Sequence, residues 1–425
     1  MGRTTEPARG STDPRLWWAR PGLEARDGRL AIAGRDADAL AREHGTPLLA
    51  YDLLRIEEQA RSLQGAFSRA GLKQRVRLAL KAQRDAGVLE FVRRLGAPGT
   101  PGSVGIDACS PGEVLHALGH GWSPEEISYT GTNVSERDLD VLLANPIHMN
   151  ADLITQIERV GRRDPGRRIG IRVNPRAGAS WGGSGESHYS GATKVTKFGI
   201  YEEDLERALE AARRHHLTID TVHFHVGDGF LADGLPKFEV AVERAARIAR
   251  RLVDLGCPID EVNTGGGLGV PQAPGDEPLD IDAFTSVLAK HLGSLGVVVA
   301  IEPGDFLVKE SGVLLAEVVT VEERVGTLFV GLDAGFNVAP EHFIYGAPFE
   351  VVLCRAADAP RTEVVTVSGN INEAPDLWAE DYPMPPVQEG DVLAIPGVGS
   401  YGEAMAMTHC LRPHAGAVYF ADRAD

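Results

Sequence analysis

Between residues 48 and 302 the chain alternates short apolar runs with longer stretches whose apolar positions recur at helical spacing. The runs are Leu48–Tyr51, Val76–Lys81, Val104–Ala108, Ile127–Gly131, His148–Ala151, Ile169–Asn174, Thr221–Val226, Glu261–Gly265 and Val297–Glu302, and their length and composition mark them as strands. Leu53–Ala70, Leu205–His215 and Phe238–Leu255 set apolar residues three and four apart against charged outer faces, which predicts helices covering a sheet. The first run is expected to pair elsewhere. The eight that begin at Val76 alternate with helices as a (β/α)8 TIM barrel requires.

After about Val308 the rhythm changes to short β-rich runs, at Leu314–Val321, Leu328–Leu332, Val351–Leu353, Glu363–Val367 and Val392–Ile395. They predict a second, mostly antiparallel β domain, which an early strand at Gly28–Gly34 is expected to join. The expected division is a disordered tail over 1–14, an N-terminal part of the β domain over 15–47, the α/β barrel over 48–305 and the C-terminal β domain over 306–425.

Composition narrows the function classes. The 425 residues carry 43 basic and 60 acidic side chains, a net charge of −17, which disfavours nucleic acid and anionic membrane as partners. Four widely spaced cysteines without a CxxC pair predict neither a disulfide framework nor a zinc site. The polar N-terminus lacks the apolar core of a signal peptide, and no apolar run of about 18 residues occurs. A cytoplasmic protein is expected.

Polar residues fall where a barrel builds its chemistry. Lys81, Asp107, Thr130, Asn150, Asn174, His225, Gly265 and Glu302 stand at or near the C-terminal ends of the eight runs, the face that carries active sites in this fold. Each alone has an ordinary explanation, since polar residues commonly end strands. A desolvated lysine at position 81 has a lowered pKa and can hold an aldehyde cofactor as a Schiff base. In His223-Phe-His225 the period of two puts both imidazoles on one face, where His225 can stack on a flat ring. Two histidines also raise the question of a metal, but no convincing third ligand accompanies them, so none is expected. Gly265, Gly266 and Gly267 form a turn whose backbone N–H groups can converge on phosphate. Glu302 can hold a pyridinium nitrogen protonated. Anchor, stacking face, phosphate cradle and ring partner together describe a pyridoxal phosphate site.

With these residues in place the chain resembles the barrel-type (fold type III) pyridoxal phosphate decarboxylases, the alanine racemase-like group that includes diaminopimelate and ornithine decarboxylases. The resemblance spans roughly residues 45–415. It is carried by Ala79-Leu-Lys81-Ala, Gly105-Ile-Asp-Ala-Cys-Ser-Pro-Gly-Glu113, Arg172-Val-Asn-Pro175, Lys197-Phe-Gly-Ile200, His223-Phe-His225-Val-Gly227, Gly265-Gly-Gly267, Glu302-Pro-Gly304, Asp333-Ala-Gly335 and Gly399-Ser-Tyr401-Gly402. It implies that Lys81 bonds the cofactor, His225 stacks on it, Glu302 meets its ring nitrogen, and Gly265–Gly267 with Tyr401 hold its phosphate. It also implies a homodimer whose sites are completed across the interface.

The departures bear on the substrate. Where the family has a serine after His-x-Gly, this chain has Asp228, and its Glu-Pro-Gly-Arg reads Glu-Pro-Gly-Asp305. An Arg-Pro-x-x-Tyr pattern aligns with Glu341 to Tyr345, and the catalytic cysteine becomes Asn372, followed by Glu373. The resemblance thus implies a phosphate-site role for Asp228, and substrate contacts for Asp305, Glu341, Tyr345, Asn372 and Glu373. Two arginines replaced by acids would repel a distal carboxylate and favour a cation. Asn372 cannot donate a proton as cysteine does, which leaves Lys81, Tyr401, His409 or water. The expectation is a decarboxylase of specialised metabolism acting on an amino acid, free or carrier-bound, with a basic or neutral polar tail rather than diaminopimelate. The alternatives are an epimerase or racemase, a decarboxylating oxidase, or a non-catalytic cofactor-binding paralogue.

Overall fold

The computed structural model describes residues 14–97, 99–181, 194–346 and 348–424, so the expected disordered tail lies outside them except for Pro14. They form two compact units. One takes the chain up to Ile56, Pro271–Asp276 and everything from Val308; the other takes Glu57–Val270 and Glu277–Leu307.

The second of these is a closed barrel of eight parallel strands: Gln74–Ala79, Val104–Ala108, Ile127–Tyr129, His148–Ala151, Arg168–Arg172, Thr218–His223, Glu261–Asn263 and Val298–Ile301. Each falls on one of the eight expected runs. The first strand closes the ring by pairing with the second, Val76 opposite Val104, and with the eighth, Ile301 opposite Val76. Several strands stop short of the expected ends because the backbone leaves the regular ladder there. Leu80 N donates to Asp107 O at 2.9 Å and Phe224 N to Asn263 O at 2.9 Å, and the side chains that follow reach the barrel mouth.

Alternation in the first strand explains the two faces. Val76, Leu78 and Leu80 are buried on one face, while Arg77, Ala79 and Lys81 share the other. On that inner face Arg77 reaches over the eighth strand to the seventh, with Nη1 2.7 Å from Glu261 Oε1. Side chains of alternate strands meet in layers inside a barrel, and here one layer is an ion pair. Around the strands, helix Ile154–Arg163 packs on Leu205–Arg214, and Leu235–Asp254 packs on Ile281–Leu292. Ser110 caps Pro111–Gly119 by accepting from Glu113 N, which accounts for part of the Asp-Ala-Cys-Ser-Pro-Gly-Glu motif.

The other unit is built on Gly312–Arg324, which pairs antiparallel with Thr327–Leu332, Val392–Pro396 and Leu48–Asp52. The division that put Leu48 in the barrel segment is therefore corrected: Leu48–Asp52 is a strand of this sheet. The sheet is mostly antiparallel, with two parallel pairings, Thr327–Leu332 beside Glu363–Ser368 and Leu48–Asp52 beside Gly416–Phe420. The early residues belong to this unit but form their own sheet of Leu23–Arg26, Arg29–Ile32 and Arg35–Asp36. Trp18, Leu30, Ile32 and Leu40 pack there in one core with Leu315, Val352 and Ala394. Two further strands, Leu377–Met384 and Gly416–Phe420, have no counterpart among the expected runs. Glu380, Asp381 and Pro383 mask the first, and the second is short.

Candidate active site

A cavity of about 310 Å³ opens in the barrel unit, lined among others by Lys81, Asp107, Cys109, Arg172, His225 and Glu302. Its walls come from the ends of the first, second, third, fifth, sixth and eighth strands and from Phe198, so it sits within the ring at the C-terminal mouth. A larger hollow of about 570 Å³ lies beside Arg244, Arg247 and Arg251. Its arginines are engaged, Arg247 by Glu202 and Arg251 by Glu206, both at 2.8 Å, and of the eight strand-end residues it gathers Asn174 alone.

Lys81 lies two residues past its strand, half-buried in the cavity wall. His225 follows the sixth strand, and its Nδ1 accepts from Gly266 N at 3.0 Å. Burial, with Lys81 and Arg172 nearby, holds the His225 imidazole well below its ordinary pKa, so the ring is neutral. Glu302 ends the eighth strand with both oxygens engaged, Oε2 by His223 Nε2 at 3.0 Å and Oε1 by Asn263 Nδ2. Burial alone would raise its pKa, but His223, Arg77 and Asn263 outweigh that and leave it below the ordinary value, an anion. Asp107 behaves oppositely. Burial and the neighbouring Glu302 push its carboxyl well above the usual range, with Lys81 pulling the other way.

The glycine turn is required by packing. Gly265 and Gly267 have φ of +67° and +95°, which side chains rarely adopt. A Cβ on Gly266 would stand 2.1 Å from Glu302 O, and one on Gly267 2.3 Å from Gly227. The turn is thus wedged against Gly227 and Glu302, and its amides serve two side chains, Gly266 N donating to His225 Nδ1 and Gly265 N to Asn263 Oδ1.

The expected site residues divide between the units. Lys81, His225, Gly265, Gly266, Gly267 and Glu302 come together at the barrel mouth. Asp228 belongs to the barrel unit, in a short pairing with Ser180, and Asp305 there opens the helical turn Asp305–Val308. Glu341, Tyr345, Asn372, Glu373 and Tyr401 belong to the other unit. Glu341 is not a bare acid there, because Lys309 Nζ lies 2.6 Å from its Oε2. Tyr345 and Tyr401 have ring centroids 6.4 Å apart, Asn372 is exposed, and Glu373 pairs with His409 Nε2 at 3.1 Å. The cavity residues without an assigned role in the sequence include Asp107, Cys109, Arg172 and Phe198. All four sit inside quoted motifs, which was the available signal. Arg172 lies 4.5 Å over the Phe198 ring and 3.3 Å from Asp152 Oδ1.

The profile of the family described as pyridoxal-dependent decarboxylase, pyridoxal binding domain, matches residues 53–309. The chain belongs to the pyridoxal-dependent decarboxylases. It is 36% identical over 404 residues to the diaminopimelate decarboxylase of Methanothermobacter thermautotrophicus, covering 92% of this chain and 91% of that protein. The Escherichia coli diaminopimelate decarboxylase is 31% identical, with 88% of each covered. Among solved structures, a diaminopimelate decarboxylase from M. jannaschii superposes with a TM-score of 0.84 at 25% identity, covering 94% of this chain and 92% of that one. One from Helicobacter pylori in complex with L-lysine gives 0.80 at 27%, covering 90% and 93%. This decarboxylase is therefore a pyridoxal phosphate-dependent carboxy-lyase acting on an amino acid. The expectation that its substrate is something other than diaminopimelate finds no support among these relatives.

The residues of the cavity fit the cofactor. Its volume is that of a small-ligand site. It presents an amine at Lys81, a neutral flat ring at His225 and an anion at Glu302. Asp107 Oδ1 is buried without a hydrogen-bond partner among the described residues, a polar atom left for a ligand. No cluster of three metal-ligating side chains occurs among the described residues. No described helix is long and apolar enough to cross a membrane.

Proposed function

We propose that this decarboxylase removes the α-carboxylate of a diaminopimelate-class amino acid, with Lys81 as the residue that bonds the cofactor. The observation that carries the reading is the meeting of Lys81, neutral His225 and anionic Glu302 in one cavity. When bound, pyridoxal phosphate supplies the sink for the electron pair left by departing CO2. Glu302 would keep the ring nitrogen protonated, because an anion beside it stabilises the cation. His225, neutral, would pack on the ring without competing charge. Lys81 would hold the cofactor and would move a proton at the substrate's α-carbon. Gly265–Gly267 and Asp228 would border the phosphate. Asp305 would border the substrate, which the partner subunit's Asn372 would orient in a homodimer. The exposed apolar side chains Ile344, Tyr345 and Leu411, at 52%, 62% and 92%, support such an interface.

Two observations favour the diaminopimelate class: the names of the relatives and the Lys309–Glu341 pair, which cancels the reversed charge at 341. A second reading, a substrate with a basic or neutral polar tail, rests on Asp305. Release of CO2 from meso-diaminopimelate, lysine and ornithine decides between them. Turnover of diaminopimelate alone supports the first reading, and turnover of the diamino monoacids alone overturns it. Product chirality and hydrogen peroxide, read in the same assay, expose an epimerase or an oxidase.

A further inference from the structure

His223 has no task in the reaction described above, yet it is 1% exposed and lines the cavity at the centre of its polar network. We propose that His223 is a positioning residue that clamps Glu302 in one orientation and, through it, fixes the protonation of the cofactor's ring nitrogen. The proposal rests on the pyridoxal phosphate reading of the site.

The geometry is that of a two-pronged clamp. His223 and Asn263 are directly paired on the sixth and seventh strands, so the parallel register presents their side chains to the same side. His223 Nε2 meets Glu302 Oε2 at 3.0 Å, and Asn263 Nδ2 takes the other oxygen. The Asn263 amide has a fixed direction, because its Oδ1 accepts from Gly265 N at 3.0 Å. The glycine turn and the carboxylate are thereby one unit, and Glu302 N closes it by donating to Gly265 O at 2.8 Å. His223 Nδ1 is buried with no hydrogen-bond partner among the described residues, so the polar contact of this imidazole goes to Glu302.

The other groups facing Glu302 cannot replace that contact. Arg77, from the first strand, is engaged by Glu261 through Nη1 at 2.7 Å and Nη2 at 3.1 Å. Asp107, from the second, is an acid whose proximity favours protonation of both carboxyls. Lys81 and His225 share the cavity, but His225 is occupied by Gly266 N. Take away His223, and burial with Asp107 nearby drives Glu302 toward its neutral form, which no longer holds the ring nitrogen protonated.

The test uses full-length holoenzyme carrying His223→Leu, His223→Gln or His223→Asn. Gln places an amide nitrogen where imidazole Nε2 stands; Asn is too short to reach. The readouts are the pH dependence of kcat and of the bound cofactor's visible spectrum, with KM followed separately. The Leu and Asn variants are expected to move the acid limb of both profiles up by about one pH unit or more, with KM little changed, while Gln restores wild-type profiles. Identical profiles for Gln and Asn, or an unshifted acid limb in a folded Leu variant, overturn the clamp. If the Leu variant does not fold, the Gln and Asn comparison decides alone. Failure of the cofactor reading is distinguishable, because the wild-type protein would then show no cofactor spectrum at all.

Discussion

Lys309 Nζ lies 2.6 Å from Glu341 Oε2, and the two side chains are only 4% and 9% exposed. The resemblance sets an arginine of the family against Glu341, so sequence alone reads a reversed charge. The fold supplies the compensating cation from 32 positions away. A buried pair of this kind is costly to break, since the partner left behind is an uncompensated charge. Glu341→Ala is expected to destabilise the protein by about 3–5 kcal/mol. The double variant Glu341→Leu with Lys309→Met should recover most of the loss. Denaturant unfolding measures both, and equal losses in the single and double variants would contradict the pairing.

A second buried pair makes an acid-stability prediction. Burial opposes ionisation of Glu261, but Arg77 and Arg75 prevail and hold its carboxyl at about 2, against an ordinary 4.5. A depressed carboxyl stabilises the fold above its unfolded value and loses that contribution as pH falls through its folded one. The stabilisation, about 3 kcal/mol, should therefore be complete above pH 4.5 and gone near pH 2. Arg77→Met should shift acid unfolding to higher pH. Melting curves across that range check it, and an unchanged acid midpoint would count against the pair.

The glycine turn gives a steric prediction. Gly266→Ala puts a methyl group 2.1 Å from Glu302 O, so one of the two must move. Overpacking of this kind costs about 1–3 kcal/mol. Because the displaced atom belongs to Glu302, cofactor affinity should fall together with stability. Gly119→Ala, whose methyl group meets nothing within 4 Å, is the control and should leave cofactor binding unchanged. Cofactor titration of the apoprotein reads the difference.

Much of the barrel was legible because its signal is local. Each strand is a short apolar run, and its last residues are polar where the mouth needs them. The site core of Lys81, His225, the glycine turn and Glu302 followed from strand-end position and motif. Long-range pairing was not legible. Nothing near Leu48 announces that it pairs with Gly312–Arg324 and Gly416–Phe420. Nothing in Glu341 announces Lys309. Asp107 sat in a quoted motif, but its raised pKa comes from burial beside Glu302, a neighbour only in the folded barrel. In the sequence His223 only raises the question of a metal, and its partner Glu302, two strands away, is a neighbour only in the folded barrel. The acid at position 341 was legible in the sequence, and the buried cation that pairs with it was not.

The central claim is that Lys81 bonds the cofactor. Borohydride reduction of the protein loaded with pyridoxal phosphate, followed by peptide mass mapping, tests it without relying on any substrate. The account predicts one adduct of cofactor mass on the peptide containing Lys81, absent in Lys81→Ala. An adduct on another lysine, or none on folded wild-type protein, would contradict it.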